Sequence, residues 1–358
     1  MTKIIAIDAR LAGGRSTGDS TYWTGLLEGL SGLQTEYRFL LYSNAPRPPG
    51  IPESPMFQWL VVPARQDRWW SWVVAPLAAR RAGADLWHTQ YALSPLARGG
   101  VTTVHDVSFL IGPEWFRPKD RFLLKVSIPS SARRAKAVIT VSETSRGEIE
   151  RLVPIAKGKT FVTPLACPNW IRPVERAEAR AAVREKWGLD SPFALTVSTR
   201  WPRKNMELAV RACDLLDADV PLRLALTGKA GWGDQSLGNR AISLGYVDQD
   251  ALSALYSAAV LYLAPSRHEG FGLPLLEAFA CGCPVLCSTG GALPETAGDA
   301  AYIEQSWEPA AWAKTIAELW RDSSKLEALR YKGLSRAKAF SWTQTAQATL
   351  DVYRRVLK

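Results

Sequence analysis

Along the first half of the chain, short apolar runs rich in β-branched residues fall at positions 4–7, 38–42, 59–62, 85–88, 101–104, 137–141 and 160–163. Such runs, bounded by polar or turn residues, are what a strand buried on both faces requires. Between them, positions 22–30, 70–82 and 122–135 space apolar residues three and four apart, the period of a helix with one buried face. Alternation of the two is the β-α-β rhythm of a parallel sheet. The stretch from Pro164 to Pro173 holds three prolines and no sustained periodicity, so it reads as a linker. A charged helix is predicted over 177–187. The rhythm then restarts, with strands at 193–199, 222–227, 241–244, 260–264, 284–287 and 300–303 and helices at 206–216, 250–258, 274–280, 309–321 and 323–339. The pattern predicts an α/β chain of two doubly wound, Rossmann-like domains, 1–170 and 171–342, facing an interdomain cleft where the carboxyl ends of both sheets offer loops to one ligand. A last helix, 343–358, is expected to cross back to the first domain.

Composition narrows the class. At 358 residues, 47% of them apolar and 22% charged, the chain is longer than one core usually organises and unlike a disordered one. The net charge of +10 is unevenly placed: residues 1–170 carry 21 Lys and Arg against 13 Asp and Glu, and the remainder 23 against 21. An acidic partner for the first domain follows, such as an anionic membrane surface or a phosphorylated substrate, alongside the plain reading of a solubilising excess. The opening Ile4-Ile5-Ala6-Ile7 is too short for a signal peptide, and no window reaches the roughly 18 apolar residues of a spanning helix, so a soluble or peripheral protein is expected. Five cysteines, none before Cys167, argue for a reducing cytoplasm, and the spacing of Cys281, Cys283 and Cys287 is not that of a paired metal motif.

The most informative stretch runs from Pro265 to Gly282. An apolar strand enters a loop holding Gly270 and Gly272, and a helix follows with Pro274 in its first turn. Backbone N–H groups of Gly270, Phe271, Gly272 and Leu273 are thereby expected to point into open space, with the partial positive charge of a helix start suited to phosphate oxygens. Glu269 and Glu277 flank the turn. A carboxylate beside a phosphate is awkward, so both are better used as acceptors for sugar and ribose hydroxyls, which points to a nucleotide sugar. A capped helix with a solvated carboxylate explains either residue alone. Arg200, Arg203 and Lys204, directly after the strand at 193–199, offer the cations that a diphosphate needs, although basic loop residues are usually just solvated.

Three histidines stand near expected strand ends: His88, His105 and His268. His105, followed by Asp106, is placed either to bond or deprotonate a substrate hydroxyl or to serve as a satisfied structural residue; for His88 the structural role is favoured. The segment from Gly13 to Ser20 occupies the place of a phosphate-approaching turn without being a dinucleotide fingerprint, and there is no Walker lysine. No aromatic-basic motif for nucleic acid stands out.

The run from Glu269 to Glu277 resembles the E-x7-E motif of the retaining family 4 glycosyltransferases of GT-B fold, and PSRHEGFGLPLLEAFACGCPVLCSTGGALPETAGDAA is similar to that family throughout. TVSTRWPRKN (196–205), LGYVDQDALSALY (244–256), HDVSFL (105–110), ITVSETS (139–145), Ile7-Asp8-Ala9-Arg10 and Thr17-Gly18 resemble further segments of its mannosyltransferase-like branch. The sequence departs at Ser198 and Ser20, where glycine is usual. The resemblance implies that Glu269 contacts the donor hexose near the reacting centre, that the backbone of Gly270 to Leu273 lines sugar and diphosphate, and that Glu277 holds the ribose. It further implies that Lys204 with Arg203 or Arg200 neutralises the diphosphate, that Tyr246 and Val247 border the base, that Gly18 approaches the donor from the other domain, and that His105 sits by the transferred sugar.

The expected activity is metal-independent transfer of a hexose, mannose favoured, from GDP-mannose or a UDP-sugar to an acceptor hydroxyl, with retention and no cofactor. Polysaccharide, lipopolysaccharide or glycolipid assembly is the expected setting. With no second carboxylate evident opposite Glu269, front-face displacement is favoured over a covalent intermediate. A lipid-linked or saccharide acceptor is expected on the basic first domain, where Arg117, Lys119, Arg121, Lys125, Arg133, Arg134 and Lys136 accompany Phe122, Leu123 and Leu124, and where Trp69, Trp70 and Trp72 serve either a membrane face or the core. A GT-B epimerase or phosphorylase, and a non-catalytic nucleotide-sugar-binding protein, are the alternatives.

Overall fold

The computed structural model describes residues 2–14, 18–97, 99–229, 231–232 and 236–358. The chain divides into two compact units, residues 1–166 with 341–358 and residues 167–340. In the first, β1 (Ile4–Asp8), α1 (Gly18–Ser31), β2 (Arg38–Ser43) and β3 (Phe57–Val61) are followed by a helical stretch made of α2 (Asp67–Trp69), a π turn (Trp70–Val74) and α3 (Ala75–Arg81). Then come β4 (Leu86–Gln90), β5 (Gly100–Thr103), α4 (Ser108–Ile111), α5 (Pro118–Arg134), β6 (Ala137–Thr140), α6 (Glu143–Leu152) and β7 (Thr160–Val162). The seven strands form one parallel sheet in the order β3-β2-β1-β4-β5-β6-β7. The order reverses at β1, so the carboxyl ends of β1, β4 and β5 stand side by side where a doubly wound sheet places its ligands.

The second unit runs α7 (Arg176–Trp187), β8 (Phe193–Val197), α8 (Met206–Asp214), β9 (Arg223–Thr227), β10 (Ala241–Gly245), α9 (Gln249–Ala258), β11 (Leu261–Ala264), α10 (Leu273–Ala280), β12 (Val285–Ser288), α11 (Leu293–Ala297), β13 (Tyr302–Glu304), α12 (Pro309–Arg321) and α13 (Ser323–Lys338). Its parallel sheet has the order β10-β9-β8-β11-β12-β13. Leu224, Leu261, Leu263, Trp312 and Ile316 lie in its core, and each such side chain removed from water contributes roughly 1.5–3 kcal/mol.

A final helix, α14 (Trp342–Leu357), belongs to the first unit. Ser341 accepts from the Gln344 N–H while the Gln344 side chain accepts from the Ser341 N–H, a reciprocal cap. Opposite it, α1 carries two glycines in its interior. A Cβ on Gly25 would stand 2.1 Å from the Trp342 ring and one on Gly29 2.1 Å from the Trp342 carbonyl oxygen, so only glycine admits the close approach.

The apolar rhythm locates every strand to within a few residues. It extends β8 two residues too far: regular pairing ends at Val197, and beyond it Ser198 lies so close to Gly228 that a Cβ there would stand 2.0 Å from the Ser198 carbonyl oxygen. It does not indicate α6, of which only Ser145 and Ile149 are buried; Ser142 accepting from the Ser145 N–H starts that helix by a polar cap rather than an apolar stripe. Of the N-terminal turn, Arg15, Ser16 and Thr17 lie outside the described residues.

Candidate functional site

In the second unit, the bend between β11 and α10 is built by three neighbours. The Ser288 hydroxyl donates to the Ser266 carbonyl at 2.6 Å, the Ala292 N–H to the Glu269 carbonyl at 2.9 Å, and the Thr296 hydroxyl to the Phe271 carbonyl at 2.5 Å. Gly290 and Gly291 bring this support close: a Cβ on the first would fall 2.1 Å from the Ser266 oxygen, and one on the second 2.4 Å from the Glu269 oxygen. On the other side the Arg267 N–H donates to the Arg203 carbonyl at 2.8 Å. Gly272 takes a left-handed conformation (φ 99°) as the cap of α10, and Pro274 follows within the first turn, where its missing N–H costs nothing. Open backbone N–H groups are the expectation for this bend. The structure shows a more enclosed one: of residues 265–272 only Arg267 is exposed, because the loop after β12 folds against it.

Glu269 is the hub. Its Oε1 accepts from Lys204 Nζ and from the Ser266 hydroxyl, each at 2.6 Å, and its Oε2 accepts from Arg203 at 3.2 Å. Arg203 also donates to the His268 carbonyl at 2.7 Å. Burial by itself pushes the carboxyl up, yet Lys204 and Arg203 outweigh it and hold the group at about 2. Glu269 is therefore ionised, and the trio carries one net positive charge. Thr196, Ser198, Lys204, Tyr262, Ser266 and Glu269 wall a slot of about 10 Å³, room for a water-sized group.

Glu277, in α10, meets the opposite fate. It is buried, the Tyr256 hydroxyl donates to its Oε2 at 2.8 Å, and burial raises its carboxyl to about 7. The same pKa physics thus separates two glutamates eight positions apart: one beside cations, one without them.

The remaining expected residues of this unit collect at adjacent strand ends. Arg203 and Lys204 form a short turn after β8, and Arg200, ahead of it, donates its backbone N–H to the Lys229 carbonyl at 3.1 Å. Lys229 holds its ammonium 5.8 Å from the ring centre of Tyr246, which with Val247 follows β10. Tyr246 is exposed and Val247 partly so. Among the described residues no cluster of three or more metal-ligating side chains occurs, and the five cysteines are free thiols.

In the first unit, Gly18 opens α1, and a Cβ there would meet open space. Asp19 beside it accepts from the Tyr91 hydroxyl at 3.0 Å and lies 3.7 Å from His105 Nε2, while Gln90 Nε2 stands 3.3 Å from the same nitrogen. The rings of Tyr22 and Tyr91 pack 5.1 and 5.7 Å from that of His105. Burial lowers the His105 pKa, and the carboxylates of Asp19 and Asp106 oppose that in part. Asp19, the neighbour of Gly18, thus meets His105 at the carboxyl end of the sheet. His88 does not join them: its ring is bonded to the Tyr353 hydroxyl at 2.6 Å and the Thr103 hydroxyl at 2.8 Å, and burial pushes it down to about 3, the state of a structural histidine.

Ser266, Tyr256, Asp19, Gln90 and Tyr91 escaped the sequence reading. Ser266, three residues before Glu269, carried a local signal. Asp19 lies in the segment from Gly13 to Ser20, next to Gly18, while Tyr256, Gln90 and Tyr91 carry no local signal.

Residues 179–336 match the model of the glycosyl transferases group 1, and residues 17–166 that of the glycosyl transferase 4-like domain. The O-antigen chain mannosyltransferase B of Escherichia coli is 37% identical over 266 residues, 71% of this chain and 70% of that one. The serotype-specific mannosyltransferase WbdA of Escherichia coli is 28% identical over 281 residues, 72% of this chain but 34% of WbdA, so the match spans about a third of that relative. Among solved structures, the sucrose-phosphate synthase tll1590 from Thermosynechococcus elongatus superposes with a TM-score of 0.76 at 23% identity over 99% of both chains. Anabaena Alr3699/HepE in complex with UDP-glucose does so with a TM-score of 0.72 at 19% identity, again over 99% of both. Two Rossmann-like units with these matches define a glycosyltransferase. The chain belongs to the family 4 glycosyltransferases of GT-B fold.

Proposed function

We propose that this glycosyltransferase moves a hexose, mannose before others, from a nucleoside-diphosphate sugar to an acceptor hydroxyl with retention, in the assembly of a polysaccharide or lipopolysaccharide. The observation that carries the reading is Glu269 held between Lys204, Arg203 and Ser266 at the carboxyl ends of β8 and β11. The two cations take the diphosphate, with the start of α10 and the backbone of Gly270, Phe271, Gly272 and Leu273 beside them, and Glu269 turns its lone pairs to the hexose hydroxyls. Glu277 accepts from the ribose, Tyr246 and Val247 border the base, Arg200 adds positive charge, and Gly18 and His105 serve the donor from the first unit. In a front-face displacement the acceptor oxygen bonds to the anomeric carbon on the side from which the diphosphate leaves, and its proton passes to the departing phosphate oxygen. Arg203, Lys204 and the helix start stabilise that leaving group without calling on a divalent ion.

Likeness to two mannosyltransferases supports GDP-mannose as donor. The UDP-glucose complex of the structural neighbour supports a UDP-sugar as second choice. The acceptor is proposed to be a saccharide or lipid-linked saccharide, met by a chain docked on the inner, anionic face of the cytoplasmic membrane. α5 supports docking: Phe122 is 67% and Val126 56% exposed in its first half, which also carries Lys119, Arg121 and Lys125. No helix among the described residues is long and apolar enough to cross a membrane.

Thermal-shift measurements with GDP-, UDP-, ADP- and dTDP-sugars test the donor, since a ligand that binds only the folded state raises the melting temperature. The expected result is the largest rise with GDP-mannose, followed by an α-linked product by NMR and undiminished turnover in EDTA. Glu269→Gln is expected to lower transfer by roughly 100-fold or more while keeping the nucleoside-diphosphate shift, because Lys204 and Arg203 lose their carboxylate competitor. Unchanged output from that variant would instead mark a binding protein, and product without added acceptor an epimerase or phosphorylase.

A further inference from the structure

The first unit carries a hollow that none of the residues assigned above reaches. The segment joining β2 to β3 folds over the sheet edge and leaves a concavity of about 430 Å³ with Leu41, Ile51, Phe57 and Trp59 along its lining. β3 is the edge strand, and its register sets Trp59 beside Leu41 and Phe57 beside Phe39. Residues two apart on a strand share a face, so both aromatics turn the same way. The Trp59 indole N–H is spent on the Ala45 carbonyl at 3.0 Å, which fixes the ring, and Phe57 is held edge-on to Phe39 with centroids 5.7 Å apart. Arg47 and Glu53 also line the hollow and pair with one another; the side chains are 39% and 81% exposed. An ion pair so exposed contributes little to stability, and here it stands beside an aromatic floor. Ile51 and neighbouring Pro48 pack against Gly13, so the hollow adjoins the segment between β1 and α1.

The geometry points to a subsite for a neutral pyranose of the acceptor glycan. A pyranose has a face of C–H bonds that stacks on an aromatic ring and a girdle of hydroxyls that donate and accept, which a carboxylate and a guanidinium side by side satisfy together. The volume lies within the roughly 300–1,000 Å³ usual for small-ligand sites. A phosphate group is disfavoured by the Glu53 carboxylate. The inference rests on the reading of the chain as a transferase with a saccharide acceptor: the subsite holds a sugar unit away from the reacting hydroxyl, raising acceptor affinity without touching the donor.

Saturation-transfer NMR of the full chain with methyl α-mannopyranoside and an α-linked mannotriose tests it, together with acceptor kinetics. Trp59→Ala and Glu53→Gln are each expected to cut the saccharide signal about tenfold and to raise the acceptor KM by a similar factor, with kcat and the nucleotide-induced thermal shift unchanged. Glu53 is exposed, so its variant decides the matter should Trp59→Ala not fold. A wild-type chain that gives no saccharide signal, or a signal that persists in Glu53→Gln, overturns the subsite. If no nucleotide sugar acts as donor and the variants still abolish saccharide binding, transfer falls and the subsite stands; if transfer proceeds with the acceptor KM unmoved, the subsite falls alone.

Discussion

Glu269 and Glu277 show how far one residue type can be driven apart by its surroundings. Both have an ordinary value near 4.5, and the fold moves one to about 2 and the other to about 7, each shift equivalent to roughly 3 kcal/mol. The depressed group, Glu269, stabilises the fold above pH 4.5 and loses that contribution as the pH falls toward 2. The raised group, Glu277, stabilises it fully below pH 4.5 and loses that contribution as the pH rises through 7. Denaturation midpoints are therefore expected to climb from pH 2 to about 4.5, to fall between about 4.5 and 7, and to level off above that. Because Tyr256 donates to Glu277 and lowers its pKa, Tyr256→Phe is expected to carry the falling limb to higher pH, an outcome read from urea midpoints across the range. An unmoved limb would assign it to other groups. The positions of both glutamates are legible in the sequence, as are Lys204 and Arg203. Their opposite protonation is not, since it depends on the burial of Glu277 away from cations and on the turn after β8 bringing Lys204 and Arg203 to Glu269 from elsewhere in the chain.

Among the elements, α1 and α14 make the sharpest case. A glycine in a helix interior normally costs about 1 kcal/mol against alanine, so Gly25→Ala should stabilise an isolated helix. Here the added Cβ would stand 2.1 Å from the Trp342 ring, and the substitution is expected to destabilise the protein by roughly 1–3 kcal/mol in chemical denaturation. A gain would show that α14 does not seat as described. Apolar spacing reveals that α1 is a helix and that 343–358 is another. It does not reveal that two glycines of the first make room for a tryptophan of the second. Nor does it reveal α6, whose start rests on the Ser142 cap rather than on an apolar stripe.

For the molecule as a whole, the proposed membrane docking draws on the charge of the first half and the exposed apolar side chains of α5. Vesicles containing anionic lipid are expected to co-sediment with the protein, less so as salt rises past physiological strength, where screening acts over about 8 Å. Replacing Phe122 and Val126 by serine is expected to abolish co-sedimentation at any salt, since both are exposed and their loss leaves the core intact. Equal binding to neutral vesicles would contradict the electrostatic part. The α/β rhythm, the strand positions and the bend at 265–272 are legible in local pattern, because periodicity, glycine and proline act over a few neighbours. Which distant groups meet is settled by packing: Lys204 with Glu269 across 65 positions, Tyr256 with Glu277, Asp19 with His105, and Tyr353 with His88 across 265. Such pairings are set by how helices and loops pack onto a sheet, and that packing is a property of the whole unit, which no local pattern encodes.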